Sequence, residues 1–292
     1  MDILPIFCEI DDFCLIFEPL WHRRLLHSGA AKRNKPKSLA LSEVITILVL
    51  FHLSGYRDLK TFYTQYVQQH LRWAFPRLTS YNRFVELQRE ALVPLWCYLH
   101  TRFGSCTGVA FVDATALAVC HNLRIRHHKL FWDSAKRGQS SMGWFYGFKL
   151  HLVINDCGEL LGCYLTPGNL DDRRPVPQMV KELWGRLFGD KGYISQALAE
   201  LLQGQDLQLI TKLKKKMKNR FLALSDKMLL RKRALIETVI DQLKNISQIE
   251  HTRHRSLWNF LGNVAAGLIA YSWREKKPSL NINVKELFLI SN

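Results

Sequence analysis

The sequence predicts an α/β fold, a mixed central sheet flanked by helices and preceded by an all-helical N-terminal region, on three observations. Over roughly the first hundred residues apolar side chains recur at three- and four-residue spacing without convincing alternation. From Thr107 the texture changes to short apolar or alternating runs separated by helical segments. The order of those runs, strand, hairpin, helix, strand, helix, strand, helix, combines antiparallel neighbours with the crossovers that parallel strands need. The expected division is a helical region over 1–104 and a sheet domain over 105–292.

Taken in chain order, Ser42 and Glu43 open a helix whose apolar face carries Val44, Ile47, Leu48 and Phe51, and Gly55 closes it. Leu59–Trp73 and Tyr81–Leu92 read as further helices, separated by Phe75-Pro76. Gly108–Asp113 is a short apolar strand ending in a carboxylate. Trp144–Ile154 alternates, turns at Asn155-Asp156-Cys157-Gly158 and returns through Leu160–Leu165 as a hairpin. A Pro-rich helix over Asp172–Trp184 follows, then a strand Arg186–Phe188 running into Gly189-Asp190. A helix over Ser195–Leu202, a strand over Leu207–Leu213 and a long helix over Met228–Ser247 complete the domain.

The 41 Lys and Arg against 25 Asp and Glu give the 292-residue chain a formal charge of +16, while 48% of residues are hydrophobic. That balance describes a basic globular protein rather than a disordered tail, with nucleic acid as the first partner and an anionic membrane surface as the second. The longest apolar stretch, Val44–Leu53, is about half a bilayer span, and Met1-Asp2-Ile3 does not begin a secretion signal. No membrane association is expected. Seven scattered cysteines, with no Cys-x2-Cys pair, fit a reduced cytosolic chain without a disulfide framework or structural zinc.

Acidic residues are scarce, and three stand out. Asp113 lies in Phe111-Val112-Asp113-Ala114-Thr115, Asp190 in Gly189-Asp190-Lys191-Gly192-Tyr193, and Glu237 in the long helix after Arg233. Ligands of open α/β sheets gather outside the carboxyl ends of strands, where the two aspartates would project. Three convergent carboxylates repel unless a cation lies among them, and hard oxygen donors suit Mg²⁺ or Mn²⁺. On the long helix, Arg233, Glu237, Asp241 and Lys244 fall within about 80° of one another, beside an apolar stripe of Ile236, Val239, Ile240 and Leu243. An ordinary amphipathic helix with surface ion pairs has the same pattern.

Val112-Asp113-Ala114-Thr115, then Gly189-Asp190-Lys191-Gly192-Tyr193, then Arg233-x3-Glu237-x6-Lys244 resemble in order the signature of DDE transposases of bacterial insertion sequences. With Ser54-Gly55-Tyr56-Arg57-Asp58, the Ser141–Lys149 segment and Gln242-Leu243-Lys244-Asn245-Ile246, nearly the whole chain resembles the insertion-sequence 982 family. The resemblance implies an RNase H-like catalytic domain over 105–292, with Asp113, Asp190 and Glu237 as the metal-binding DDE triad holding two Mg²⁺ or Mn²⁺ ions. Asp113 would bridge the ions, while Asp190 and Glu237 hold one each. It implies cleavage at terminal inverted repeats and joining of the freed 3′-hydroxyl to target DNA by a homo-oligomer on paired ends, in the bacterial cytoplasm at the nucleoid. The region 1–104 would bind DNA or mediate assembly. Leu230 departs from the pattern, standing where related transposases often carry tyrosine, so no tyrosine role is expected there.

Arg233 and Lys244 would contact phosphates near the scissile bond or steer Glu237. Lys212, Lys214, Lys215, Lys216 and Lys218, with Arg220, form a basic tract after the last strand, suited to non-specific binding of double-stranded DNA. Arg253 and Arg255, with His251 and His254, form another patch. A linker, Lys32-Arg33-Asn34-Lys35-Pro36-Lys37, reads equally as a phosphate contact or a solvated loop. The cluster from Arg124 to Arg137, with Phe131 and Trp132, suits a loop gripping distorted DNA ends, and plain packing explains the aromatics as well. Asp171-Asp172 is a rival acidic pair better read as a helix start. Two other readings share the scaffold: a catalytically silent DNA-binding protein, and an RNase H-like nuclease without strand transfer.

Overall fold

The computed structural model describes residues 2–29, 38–140, 143–212, 222–250 and 254–280. They form two compact units, Met1–Arg102 with Asn245–Trp273, and Phe103–Lys244 with the segment from Arg274. The helical unit contains α1 (Leu4–His27), α2 (Leu41–Leu53), α3 (Leu59–Thr61), a π-helical turn Phe62–Val67, α4 (Gln68–His70), α5 (Tyr81–Glu90) and α6 (Leu92–Thr101). Glu43 reaches back to accept the Ala40 N–H at 2.7 Å, so α2 starts at Leu41 rather than at the expected Ser42 cap. Its residues from Ser42 to Phe51 are buried on every face, because α1, α5 and a late helix, α11 (Leu257–Ser272), surround it. The chain from 59 to 70 is helical as expected, though its central turn is wide and it stops at His70.

The second unit holds one six-stranded sheet: β1 (Val109–Cys120), β2 (Lys136–Ser140), β3 (Gly143–Asn155), β4 (Leu160–Pro167), β5 (Gly185–Gly189) and β6 (Leu207–Thr211). The order β2-β3-β1-β5-β6 is mixed, with β1–β3, β2–β3 and β3–β4 antiparallel and β1–β5 and β5–β6 parallel. Beside β3, β2 pairs with residues 143–147 and β4 with residues 148–154. The helices are α7 (Val176–Met179), α8 (Gln196–Gln203), α9 (Leu224–Arg231) and α10 (Ala234–Asn245). One sheet face packs Ala110, Val112, Leu187 and Leu207 against Val176, Met179, Leu198 and Leu202. The alternate residues point to the other face, where Phe111 and Phe188 lie 5.5 Å apart and α9 covers β5 and β6.

Four expectations are corrected. Asp113 does not end its strand: β1 continues to Cys120 because residues 114–120 keep pairing with β3, although the parallel partner β5 leaves β1 at Phe111. The Asp172–Trp184 helix shrinks to α7, since prolines 175 and 177 occupy its start and the chain then turns down toward Gly185. The long helix breaks at Lys232–Arg233 into α9, which contacts β5 and β6, and α10, which is bonded to β1, a break that no Pro or Gly announces. Strand β2, Lys-Arg-Gly-Gln-Ser, has no apolar alternation and is legible in the sequence only as part of a basic cluster. Among the described residues no helix is long and apolar enough to cross a membrane.

The parallel pairing of β1 with β5 begins at two glycines. Gly108 and Gly185 have φ of +84° and +92°, and a Cβ on Gly185 would collide with the Gly108 carbonyl, which accepts the Arg186 N–H at 2.9 Å. Replacing Gly185 by Ala is expected to destabilise the protein by about 3 kcal/mol, read as a lower urea midpoint at unchanged m.

Candidate active site

Asp113 follows the buried run Val109–Val112, and Asp190 follows β5, on the neighbouring parallel strand. Because Phe111 pairs with Phe188, the two aspartates stand at equivalent positions two residues beyond the paired ends, where the chain of β5 leaves the sheet. Asp190 caps the turn Lys191–Tyr193 by accepting the Gly192 N–H on Oδ1 at 2.7 Å. Asp113 Oδ1 accepts the Ala114 N–H at 2.9 Å, and its Oδ2 accepts from Arg233 at 2.9 Å. The other arm of the same guanidinium donates to Glu237 Oε1. Arg233 therefore joins Asp113 to Glu237, and the break before α10 places it there.

The three carboxylates differ in environment. The Asp113 side chain is 20% exposed and Arg233 15%, while Glu237 is 55% exposed. Burial pushes the Asp113 carboxyl above its usual range; Arg233 and the Ala114 amide pull it back, and Asp190 adds to the rise. Tyr193, whose buried hydroxyl finds no partner among the described residues, is raised well above the ordinary phenol by burial and by Asp113, Asp172 and Asp190. At the other end of α10, Lys244 Nζ donates to the Ala116 carbonyl of β1 at 2.7 Å. Arg233 and Lys244 thus tie both ends of the helix to one strand, as their common helical face predicts.

Of the remaining expected residues, Lys212 is exposed just beyond β6, while Lys214, Lys215, Lys216, Lys218 and Arg220 lie outside the described residues. Arg253, His251 and the linker 32–37 lie outside them too. Arg255 belongs to the helical unit, lining a cleft with Asp58, Lys60 and Tyr81. Phe131 is packed in the core and Trp132 is 61% exposed, so the two aromatics of the basic cluster part company. Asp171 and Asp172 do not cap a helix: Asp171 pairs with Arg173, and Asp172 takes a 2.8 Å ion pair from Lys149 of β3. Sequence reading missed the Lys149–Asp172 pair and the buried Tyr193. The signal available for Lys149 was a lysine inside an otherwise apolar alternating strand.

A mixed sheet flanked by helices, with carboxylates just beyond the paired stretch of two adjacent parallel strands and a third on a covering helix, is the arrangement of an RNase H-like fold. Residues 103–257 match the family model described as Transposase DDE domain. The match spans more than half of the chain, and the chain belongs to the DDE transposase family. No curated protein matches it. Among solved structures it is similar to a piggyBac transposase synaptic complex with hairpin DNA, at 10% identity over 89% of this chain and 73% of that one, with a TM-score of 0.45.

Enzymes of this family generally use divalent metal ions, and the donors here suit them chemically. Asp190 and Glu237 each keep one carboxylate oxygen without a hydrogen-bond partner among the described residues, and Asp113 is buried beside another acid. Against that, Arg233 occupies Asp113 Oδ2 and Glu237 Oε1, and among the described residues no group of three or more His, Cys, Asp or Glu side chains is arranged to hold a metal ion. Ion binding at these carboxylates therefore calls for the guanidinium to withdraw from Asp113.

Arg233→Ala leaves the Asp113 charge buried and uncompensated, so metal-free protein at neutral pH should lose on the order of 3 kcal/mol in urea unfolding. Adding Asp113→Asn should recover most of the loss, a coupling that a double-mutant cycle measures. Additive losses would show that the pair is energetically idle.

Proposed function

We propose that this chain is the transposase of a bacterial insertion sequence of the 982 kind, cutting DNA at the element's terminal inverted repeats and joining the freed 3′-hydroxyl to target DNA. The observation that carries this reading is the Asp113–Arg233–Glu237 bridge beside Asp190, where the parallel pairing of β1 and β5 stops, within a transposase DDE domain. Asp113, Asp190 and Glu237 would hold one or two Mg²⁺ or Mn²⁺ ions. When bound, such ions activate an attacking water or 3′-hydroxyl and stabilise the leaving oxygen.

The chain's own residues do the rest. Arg233, displaced from Asp113, keeps its i, i+4 neighbour Glu237 within reach and presents its other arm to a phosphate. Lys244 holds the far end of α10 to β1, so the Glu237 carboxylate is carried on a helix that keeps one tie to that strand when Arg233 moves. The lysines from Lys212 to Lys218 and Arg253 and Arg255 contribute affinity for the backbone of double-stranded DNA. The helical region 1–104 recognises element ends or mediates assembly, and a homo-oligomer of the chain acts on paired ends in the bacterial cytoplasm.

Asp113→Asn, Asp190→Asn and Glu237→Gln should each lower Mg²⁺-dependent nicking of an end-bearing duplex to below about a hundredth of wild type, with DNA affinity held within about twofold. Comparable nicking by all three would overturn the triad. A wild type that binds ends and never cuts them with either metal would leave the DNA-binding reading, and cutting without joining would leave the nuclease reading. Replacing Lys212, Lys214, Lys215, Lys216 and Lys218 by Gln should flatten the slope of log affinity against log salt by about 0.9 for each phosphate those lysines neutralise. An unchanged slope would remove that tract from the interface.

A further inference from the structure

Beside the acidic edge, a cleft of about 450 Å³ is lined by Arg137, Trp144, Lys149, Asn169 and Asp172. That volume lies within the range of ordinary ligand sites. Gly192 lines it as well, and the Gly192 N–H is the group bonded to Asp190, so the cleft borders the residues assigned to cleavage. Part of its wall is bare backbone: a Cβ on Gly138 would run into the Gly168 carbonyl and lie 2.8 Å from the Phe145 ring.

Trp144 is 53% exposed at the start of β3, an expensive position for an indole whose ring is covered in part by one arginine. Its backbone is held by Asn122 Nδ2, which donates to the Trp144 carbonyl at 2.7 Å. Arg137 pairs across the strands with Tyr146 and so lies diagonal to Trp144, with its guanidinium carbon 4.9 Å from the indole centroid. The charges of the cleft are mostly spent internally. Lys149 gives its ammonium to Asp172 at 2.8 Å and to the Leu170 carbonyl at 3.0 Å, and Asp171 is paired with Arg173. Nearby His151, buried and pushed down to about 4 by that burial, is neutral at pH 7. Arg137 forms no ion pair among the described residues.

One cation, one flat aromatic surface and two hydrogen-bonding side chains suit a nucleotide better than a bare phosphate, which calls for several uncommitted cations. Inside a duplex both faces of a base are covered by its neighbours, so away from a duplex end it is an unpaired base that can lie flat on the indole. We propose that this cleft takes one unpaired nucleobase of the DNA substrate, stacked on Trp144, with its backbone phosphate against Arg137 and its polar edge toward Asn169 and Asp172. The proposal rests on the reading of the chain as a transposase and gives it a place to hold a splayed nucleotide beside the scissile bond.

The test is fluorescence anisotropy with full-length protein, without divalent metal so that cleavage competence plays no part, using a labelled oligothymidine of about eight nucleotides and a labelled blunt duplex. Trp144→Ala should weaken oligothymidine binding roughly 5- to 150-fold and leave duplex binding within about twofold. Trp144→Phe should retain most of the affinity, and Arg137→Gln and Asn169→Ala should each lose part of it. Wild-type protein that does not bind the oligothymidine, Trp144→Ala that binds it as wild type does, or an equal loss on both probes would each overturn the proposal. Should Trp144→Ala not fold, full affinity in both Arg137→Gln and Asn169→Ala would overturn it as well. Failure of the cleavage reading shows separately, as wild-type protein that binds both probes and cuts neither ends nor target when metal is restored.

Discussion

A carboxylate inside a sheet can stay charged only if a cation reaches it, and that requirement organises the second unit around Asp113. The side chain sits at the end of a run of four buried residues, with Asp190 adding repulsion. Arg233 answers both the burial and the repulsion, and it does so from the turn between α9 and α10, where the backbone breaks without proline or glycine. A straight helix through 228–247 would keep Arg233 on the same axis as α9, which covers β5 and β6. The break redirects the chain so that the cation meets β1. One arginine thus links the buried aspartate of β1 to Glu237 of α10.

The frame beneath that pair is backbone. Gly108 and Gly185, both at positive φ, let β1 and β5 start in contact, and the resulting pairing of Phe111 with Phe188 brings Asp113 and Asp190 to matching heights. Covering helices then bury both faces: α7 and α8 on one, α9 on the other, the latter tied to β5 by the Arg186–Asp226 pair at 2.6 Å. Lys244, bonded to the Ala116 carbonyl, fixes the far end of α10. The charged groups that would meet DNA are therefore held by elements whose placement is decided by packing, as sites that need preorganised geometry generally are. In the metal-free protein Arg233 is the cation that compensates Asp113.

Much of this was legible in the residues. Period and alternation placed the helical region, the β3–β4 hairpin, β5, α8 and β6 close to where they lie, because apolar residues recur in each at the spacing of its element. Helical spacing put Arg233, Glu237 and Lys244 on one face, and both cations do turn toward β1. Other features left no local trace. Strand β2 is polar throughout and exists because β3 offers it an edge. The extension of β1 past Asp113 comes from pairing with β3 rather than from apolar pattern. The pair of Lys149 with Asp172 and the cleft beside Trp144 depend on side chains more than twenty residues apart in sequence.

The sequence by itself determined the class of fold, a basic chain and three acidic residues to look for, since charge and periodicity are properties of a linear chain. Only the tertiary structure decided that Arg233 bridges Asp113 and Glu237, that the helix breaks just before it, and that Trp144 stands half exposed against Arg137 in a cleft that Gly192 also lines. Those outcomes are set by which groups burial forces to find a partner, and a buried charge or an open aromatic face has no meaning until the sheet has closed around it.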